Sequence, residues 1–164
     1  MYVSLVLAPG RARYAPDRAT ALLTLAAGVA LAEAIERMTG LAPAIKWPND
    51  LLIGRRKLAG VLAEGVAAPV SEAGIQWVIL GYGVNVSATA YPSELSDRVT
   101  SLESELGRPI DRAALCAETL AALAARYDDL LEARFDAILD AWRVRAPGSR
   151  GAPASWGKPG GSRS

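Results

Sequence analysis

The groups of this chain that could carry out chemistry are concentrated between positions 46 and 60. The stretch Lys46-Trp47-Pro48-Asn49-Asp50 is followed, seven residues after its aspartate, by Lys57-Leu58-Ala59-Gly60. Together they supply two ammonium groups, a carboxylate, an amide and an indole ring. An indole can stack on a planar base, an amide can hydrogen-bond an adenine edge, and an ammonium can bind phosphate. These residues therefore predict a site for a substrate that combines a base with phosphate.

Lys57 is the first catalytic candidate of this cluster. The predicted strands Leu51–Ile53 and Leu58–Val66 flank Gly54-Arg55-Arg56, which indicates a hairpin with a three-residue turn. Lys57 would then enter the second strand with Ala59 on the same face, and so small a neighbour leaves room for a ligand. On spacing alone, an ordinary solvated lysine in a basic turn is the favoured interpretation.

Asp50 is the second catalytic candidate, and its position depends on the hairpin register. If Ile53 pairs with Lys57, Asp50 pairs with Gly60, and the Asp50 and Lys57 side chains lie on opposite faces of the sheet. A β-bulge would bring both side chains to one face. The alternative for Asp50 is a turn-capping carboxylate after Pro48-Asn49.

Three neighbours are candidates for nucleotide contact. Two of them, Trp47 and Asn49, lie in the loop. Asn49 is the stronger candidate, because tryptophan is more often buried than used to bind ligands. Lys46 is either a solvated charge at a strand end or a phosphate partner.

A second candidate element is Gly81-Tyr82-Gly83-Val84-Asn85, within the predicted strand Ile75–Val86. Alternation places Gly81, Gly83 and Asn85 on one face of that strand. Two glycines make this face flat, so that a ligand can approach the backbone, and Asn85 supplies a polar group at its end. The pattern is not a dinucleotide-binding fingerprint, because the third glycine is missing and a strand follows.

Histidine is absent from the 164 residues, and Cys116 is the one cysteine. The absence of histidine excludes Ser-His and Cys-His nucleophile systems and removes the commonest metal ligand. One cysteine gives no disulfide framework, which indicates a reducing compartment. Carboxylate adenylation suits the remaining residues, because the substrate carboxylate is itself the nucleophile and needs no general base.

Charge and hydropathy limit the partners. Lys and Arg number 18 and Asp and Glu 17, for a formal charge of +1, which predicts no nucleic-acid partner. The apolar run Ala19–Ala32 is shorter than the ~20 residues that a spanning helix needs, and the N-terminus lacks a signal-peptide pattern. We predict a cytoplasmic protein without a membrane partner.

The remaining pattern predicts a strand at Tyr2–Leu7 and a long helix capped by Asp17 and stopped by Gly40. Further elements are predicted at Ile45–Trp47 (strand), Leu102–Leu106 (helix), from the N-cap Asp111 to about Glu132 (helix) and at Phe135–Val144 (helix). Pro147–Ser164 is rich in Gly, Pro and Ser, and we predict that it is disordered.

The motifs K-W-P-N-D…K-L-A-G and G-x-G-x-N closely resemble those of biotin protein ligases, which attach biotin to carrier proteins using ATP. The resemblance implies an α+β fold with a mixed, largely antiparallel sheet flanked by helices, similar to class II aminoacyl-tRNA synthetases. It implies that Lys57 contacts the substrate carboxylate and the α-phosphate, that Asp50 belongs to the active site, and that Lys46, Trp47, Asn49, Gly60, Gly81, Gly83 and Asn85 bind substrate or nucleotide. ATP and biotin would be substrates, with Mg²⁺ carried by ATP. The partner would be a biotin carboxyl carrier protein, and a homodimer is possible.

The resemblance runs from Tyr2 to about Ala146, so residues 1–146 correspond to the latter part of the family's catalytic domain. We expect an incomplete catalytic domain without the N-terminal biotin-binding segment and the C-terminal SH3-like domain. Arg11 and Arg13 are predicted to be solvated loop charges, because the family's Gly/Arg-rich loop precedes the strand that Tyr2–Leu7 resembles. A non-catalytic nucleotide-binding or dimerisation remnant is the alternative. A lipoate ligase is disfavoured, because it would not carry W-P-N-D before the lysine.

Overall fold

A computed structural model of the chain describes residues 1–67, 75–88 and 91–146. The predicted tail, residues 147–164, lies outside the described residues, as does most of the loop predicted before Ile75. The elements are β1 (Tyr2–Leu7), a 3₁₀ turn (Pro9–Arg11), α1 (Pro16–Thr39), β2 (Ala44–Lys46), β3 (Asp50–Ile53), β4 (Arg56–Ala67), β5 (Ile75–Val84), a second 3₁₀ turn (Ser93–Leu95), α2 (Leu102–Leu106), α3 (Arg112–Leu131) and α4 (Phe135–Arg145).

The five strands form one sheet in the order β1-β5-β4-β3-β2, with antiparallel neighbours throughout. A single parallel bridge, between Lys57 and Val99, adds a short segment to β4. Strand alternation explains the arrangement, because the strand side chains that face the helices are apolar and buried. The predicted α+β fold with a largely antiparallel sheet flanked by helices is confirmed.

Within the described part of the chain, the long helices cover one face of this sheet and leave the other open. Helix α1 packs against β2 to β5, while α3 and α4 pack against α1. The core therefore lies between α1 and the sheet, with Leu23, Leu31 and Ile35 fully buried. On the opposite face, side chains such as Val6 and Leu62 are exposed to solvent. A sheet with one packed and one open face offers the open face to ligands.

The C-terminal end of α1 matches the prediction, and its N-terminal end does not. Gly40 ends the helix in a left-handed conformation, φ 74°, as predicted. The prediction of Asp17 as N-cap is wrong, because the helix begins at Pro16 and Ala15 holds the cap position. Proline suits the first helical position, since its missing N–H would lack a helical partner. Asp17 lies in the first turn instead, where its charge favours the helix dipole.

Helix α1 is also longer than its apolar run suggested. Its 24 residues make it, among the described residues, the one helix long and apolar enough to cross a membrane by length and composition. Within the fold it serves a different purpose, since 61% of its most apolar window is buried. The apolar run Ala19–Ala32 lies within this helix, and the burial of α1 in the core accounts for its composition.

Tyr82 links the sheet to α3, and its ionisation makes the free energy of unfolding depend on pH in the alkaline range. Its side chain is 3% exposed, and its hydroxyl lies 2.9 Å from Thr119 Oγ1. Because Thr119 donates its own proton to the Cys116 carbonyl, Tyr82 is the donor of this bond. Burial raises the pKa of Tyr82, the Thr119 hydroxyl partly opposes the rise because it can turn to donate to the ionised oxygen, and Cys116 adds to the rise.

We expect the folded protein to lose stability as pH rises above about 10, where unfolded tyrosine ionises. Above that pH the unfolded chain releases the Tyr82 proton while the folded chain retains it, so the free energy of unfolding falls. Tyr82→Phe should cost about 1 kcal/mol at neutral pH and reduce this alkaline loss, leaving the part due to Tyr127, whose pKa is also raised by burial. Urea unfolding at a series of pH values checks both effects. An equally steep loss in the variant would contradict the assignment to Tyr82.

Candidate functional site

Lys57 and Asp50 meet on the open face of the sheet. Lys57 Nζ lies 2.5 Å from Asp50 Oδ1, and the side chains are 48% and 25% exposed. Asp50 pairs with Gly60 as predicted, but Ile53 pairs with Arg56, so the turn has two residues and the prediction of three is wrong. A β-bulge at Leu58 shifts the register between Leu51 and Leu52 and brings both charged groups to one face.

The bulge also changes which small residue lies beside Lys57. Ala59 is 2% exposed and belongs to the core, so the prediction that it shares a face with Lys57 is wrong. Gly60 takes that place. A β-carbon on Gly60 would lie 3.3 Å from Lys57 Nζ and 3.4 Å from Asp50 Oδ1. Glycine at this position therefore lets the ion pair lie across the backbone of β4.

The backbone of Lys57 is held on both sides by the segment that follows β5. Its amide donates to the Arg98 carbonyl at 2.8 Å, and its carbonyl accepts from the Thr100 amide at 2.9 Å. The Asn85 side chain donates to the carbonyls of Thr100, at 3.1 Å, and Lys57, at 3.4 Å. The Asn85 amide thus supports the lysine, a role that alternation along β5 did not predict.

Arg56, Thr100 and Glu105 form a polar network beside the Lys57 backbone. The sequence did not predict this network. Glu105, in α2, accepts from the Thr100 hydroxyl and from Arg56, 2.8 Å away. Arg56 precedes Lys57, so α2 is connected to both sides of the lysine. No periodic pattern marks residues 96–100 in the sequence, and the Ser101 N-cap of α2 was the one available signal.

A shallow cavity of about 380 Å³ lies beside the ion pair on the open face. Its lining includes Asp50, Lys57, Gly60, Gly81 and Gly83. A β-carbon on Gly81 would meet no atom closer than 3.9 Å, so this part of the floor is flat, as predicted. The volume is typical of small-molecule sites.

Gly83 is less open than predicted. A β-carbon there would lie 2.9 Å from Tyr2 Cε1, because the Tyr2 ring lies over Gly83 across the β1–β5 pair. Tyr2 is 88% exposed, so its ring has solvent on the other side. Sequence reasoning missed Tyr2, since its cross-strand partner is far along the chain.

The loop between β2 and β3 holds the other candidates. Trp47 is 69% exposed, which leaves its indole accessible for stacking. Asn49 Nδ2 donates to the Val61 carbonyl at 2.8 Å, and the Val61 amide donates to the Asn49 carbonyl at 2.9 Å. One amide proton of Asn49 is therefore committed to fixing the loop on β4. Lys46 is exposed and pairs with Asp50 in the β2–β3 ladder.

A second, larger cavity of about 760 Å³ lies on the other side of the ion pair. Lys57 and Asp50 line both cavities. The remaining lining of the second includes Lys46, Arg55 and Arg98. The ion pair thus separates a glycine-floored cavity from a cationic one.

Arg11 and Arg13 lie outside both cavities. The Arg11 guanidinium lies over the Trp77 ring, 4.6 Å from its centroid, and Arg13 lies 5.4 Å from the Tyr14 centroid. Both are solvent-exposed, as predicted, but each also makes a cation–π contact.

This arrangement suits the activation of a carboxylate by a nucleotide. An ammonium held between two cavities can neutralise charge on groups that enter from both sides. An ion pair this exposed contributes only about 0–1 kcal/mol to stability, so folding alone does not explain it. In the described ranges, no group of three or more His, Cys, Asp or Glu side chains could hold a metal ion.

Comparisons with known proteins point in the same direction. A sequence model of the Biotin/lipoate A/B protein ligase family matches residues 1–85. The bifunctional ligase/repressor BirA of Bacillus subtilis is 37% identical over 150 residues, covering 90% of this chain and 44% of that protein. The biotin–[acetyl-CoA-carboxylase] ligase of Mycobacterium tuberculosis is 42% identical over 90 residues, covering 53% of this chain and 30% of that protein. The chain thus spans less than half the length of these relatives.

Solved structures share the fold. The apo biotin protein ligase of Aquifex aeolicus superposes with a TM-score of 0.72 at 26% identity, covering 88% of this chain and 60% of that one. The same enzyme in complex with biotin and ATP gives a TM-score of 0.71 at 26% identity, covering 88% of this chain and 57% of that one.

Proposed function

The chain belongs to the biotin/lipoate A/B protein ligase family, and on this basis we propose that it forms the adenylation site of a biotin protein ligase. The observation that carries the proposal is the Lys57–Asp50 pair, 2.5 Å apart between two cavities on the open sheet face. In the proposed reaction a biotin carboxylate oxygen bonds to the α-phosphorus of ATP, and pyrophosphate leaves. A carrier lysine then attacks the biotinyl carbonyl carbon and AMP leaves.

Lys57 is the proposed catalytic group. Its ammonium would bind the biotin carboxylate and the α-phosphate together, and so offset the charge that develops as the adenylate forms. Asp50 would orient that ammonium through the ion pair. Gly60 would give the lysine space to reach both substrates, because any β-carbon there would lie against Nζ.

The remaining candidates have proposed binding roles. Gly81 and Gly83 would form the floor of the biotin cavity, and the exposed Trp47 would stack on adenine. Asn49 and Asn85 would contact the nucleotide with those side-chain amide atoms that make no hydrogen bond to the backbone. Lys46, which lies in the neighbouring strand β2, would bind phosphate.

The proposed substrates are ATP and biotin. Mg²⁺ would arrive with ATP as part of that substrate. The proposed partner is a biotin carboxyl carrier domain, since relatives carry the name biotin–[acetyl-CoA-carboxylase] ligase. A homodimer, a cytoplasmic location and the absence of nucleic-acid and membrane partners stay predictions.

The alternative proposal is a nucleotide-binding or dimerisation remnant without turnover. It is supported by the cavities on both sides of the Lys57–Asp50 pair, which can bind a nucleotide whether or not turnover follows. Under this alternative the sheet and the ion pair are retained, and the chain binds nucleotide without completing the adenylate.

Biotin-dependent ATP–pyrophosphate exchange tests the proposal in two proteins. The first is the 164-residue chain, for which we expect little or no exchange, because the resemblance places the biotin-gripping residues upstream of this region. The second is a hybrid in which residues 1–146 replace the matching region of the Bacillus subtilis relative. We expect biotin-dependent exchange in the hybrid. A folded hybrid that binds ATP without exchange would favour the remnant.

A further inference from the structure

A small apolar cluster, separate from the main core, anchors strand β2. Ile45, in the middle of β2, is 5% exposed and packs with Val29 of α1 and with Ala146, which follows α4. Trp142 of α4 packs against the same cluster. The cluster thus brings two helices and one strand together at the edge of the sheet.

Strand β2 takes its position largely from this cluster. It is three residues long and lies at the sheet edge, so β3 is its one strand partner in the described part of the chain. Ile45 is the one buried side chain of β2. A β-carbon on Gly28 of α1 would lie 3.9 Å from Ile45 Cδ1, so this side chain lies directly against the helix backbone. A short edge strand has few ladder hydrogen bonds, and side-chain packing must hold it.

The loop that follows β2 carries residues that the proposed function uses. Lys46 and Trp47 come directly after Ile45. The far end of the loop is fixed by the hydrogen bond from Asn49 to the Val61 carbonyl. Trp47 is 69% exposed, so its own contacts hold it little and its position follows from the two ends of the loop. The near end is the strand that the cluster anchors.

We propose that α4 positions this loop for the reaction, with Trp142 as the positioning residue that acts through Ile45. The inference rests on the proposed function and concerns a residue outside both cavities beside the ion pair. Helix α4 packs against α1 as well as β2. The Arg145 guanidinium lies 2.8 Å from a Glu36 carboxylate oxygen and ties the end of α4 to α1, three residues after the indole. The helix is therefore a fixed support for the strand.

Trp142 contributes the shape of its ring to this support. Its Nε1 atom is buried and has no hydrogen-bond partner among the described residues, so packing alone holds the indole. A buried N–H without a partner opposes folding, and phenylalanine would fill much of the same space without that cost. Truncation to alanine would instead leave a cavity beside the cluster. Since β2 has a single strand partner, we expect it to shift into that cavity and to move the loop.

ATP–pyrophosphate exchange by the hybrid ligase tests this role. We expect Trp142→Ala to raise the KM for ATP by about tenfold, because misplaced binding groups lose contacts with the nucleotide. The KM for biotin should change by less than about twofold, since the proposed biotin floor lies on β5. Trp142→Phe should restore the KM for ATP to within about twofold of the unsubstituted hybrid. If Trp142→Ala fails to fold, Trp142→Leu takes its place, with an expected rise of about threefold.

Ile138→Ala is the matched control. Ile138 is fully buried in the same helix but belongs to the main core, so its truncation should lower stability without changing either KM. Ile138→Val serves the same purpose if the alanine variant does not fold.

Hydrogen exchange of the 164-residue chain gives a second measurement that needs no turnover. We expect Trp142→Ala to speed amide exchange in β2 by about tenfold more than in β5, and Ile138→Ala to leave that ratio unchanged.

Several results would overturn the assignment. They are an unchanged KM for ATP in Trp142→Ala, equal rises in the KM values for ATP and biotin, and β2 amides that respond no more to Trp142→Ala than to Ile138→Ala. Failure of the proposed function looks different. In that case the unsubstituted hybrid shows no ATP–pyrophosphate exchange, and hydrogen exchange alone decides whether Trp142 positions the strand.

Discussion

Replacing Lys57 by alanine in the hybrid ligase is expected to lower biotin-dependent ATP–pyrophosphate exchange by about 10²- to 10³-fold, the usual cost of removing one group that stabilises transition-state charge. The reason is local. Among the residues that the structure describes, this ammonium is the one cation that lines both cavities, so its removal leaves charge at the reacting phosphate without a partner. Exchange rates at saturating ATP and biotin give the measurement.

The same substitution should leave the fold intact. The Lys57 side chain is about half exposed, and its backbone hydrogen bonds to residues 98 and 100 do not depend on its side chain. We expect the free energy of unfolding to change by less than about 1 kcal/mol. Arg108→Ala is the control for exposed cations and should keep full exchange. A Lys57→Ala hybrid that unfolds, or that keeps full activity, would remove Lys57 from the catalytic role.

Gly81→Val is expected to raise the apparent Kd for biotin or ATP in the hybrid by more than about tenfold. A β-carbon at Gly81 meets nothing closer than 3.9 Å, so the new side chain fits the sheet and projects into the cavity. Stability should change by less than about 0.5 kcal/mol, because the added β-carbon makes only ordinary contacts on an open sheet face. Ligand titration and thermal unfolding of the same preparations separate the two effects.

Gly83→Val provides the comparison on the same face. Its β-carbon would lie 2.9 Å from the Tyr2 ring, so the ring must swing into solvent before the variant can fold. We expect a larger loss of stability than at Gly81, together with weaker ligand binding. If Gly81→Val lowers stability while affinity is kept, the glycines serve the backbone and not a ligand.

Strand alternation made most of the sheet predictable. All five strands were placed to within two residues at each end, because buried and exposed side chains alternate clearly along them. The helix ends at Gly40 and Asp111 were also predicted, since each depends on one local conformation or one capping side chain. Sequence signals contained within a few residues were therefore sufficient to predict the strands and these two helix ends.

The site itself was predictable only in part. The sequence placed Asp50 and Lys57 on one face only if a bulge was present, and the number of turn residues could not be read without the partner strand. Contacts across long sequence separations were not predicted at all. The Tyr2 ring over Gly83 and the Asn85 amide at the Thr100 carbonyl each depend on how distant segments meet.

The bulge at Leu58 has a practical consequence for protein engineering. The pairs Leu52–Lys57 and Ile53–Arg56 lie outside the turn, so residues inserted between Gly54 and Arg55 lengthen the loop without altering which face carries Lys57. Deleting Leu58 would remove the bulge and a fully buried side chain, but it would keep Lys57 opposite Leu52 and therefore on the open face. The tip of this hairpin is thus a suitable attachment point for a fluorescent label, close to the reacting groups and independent of their register.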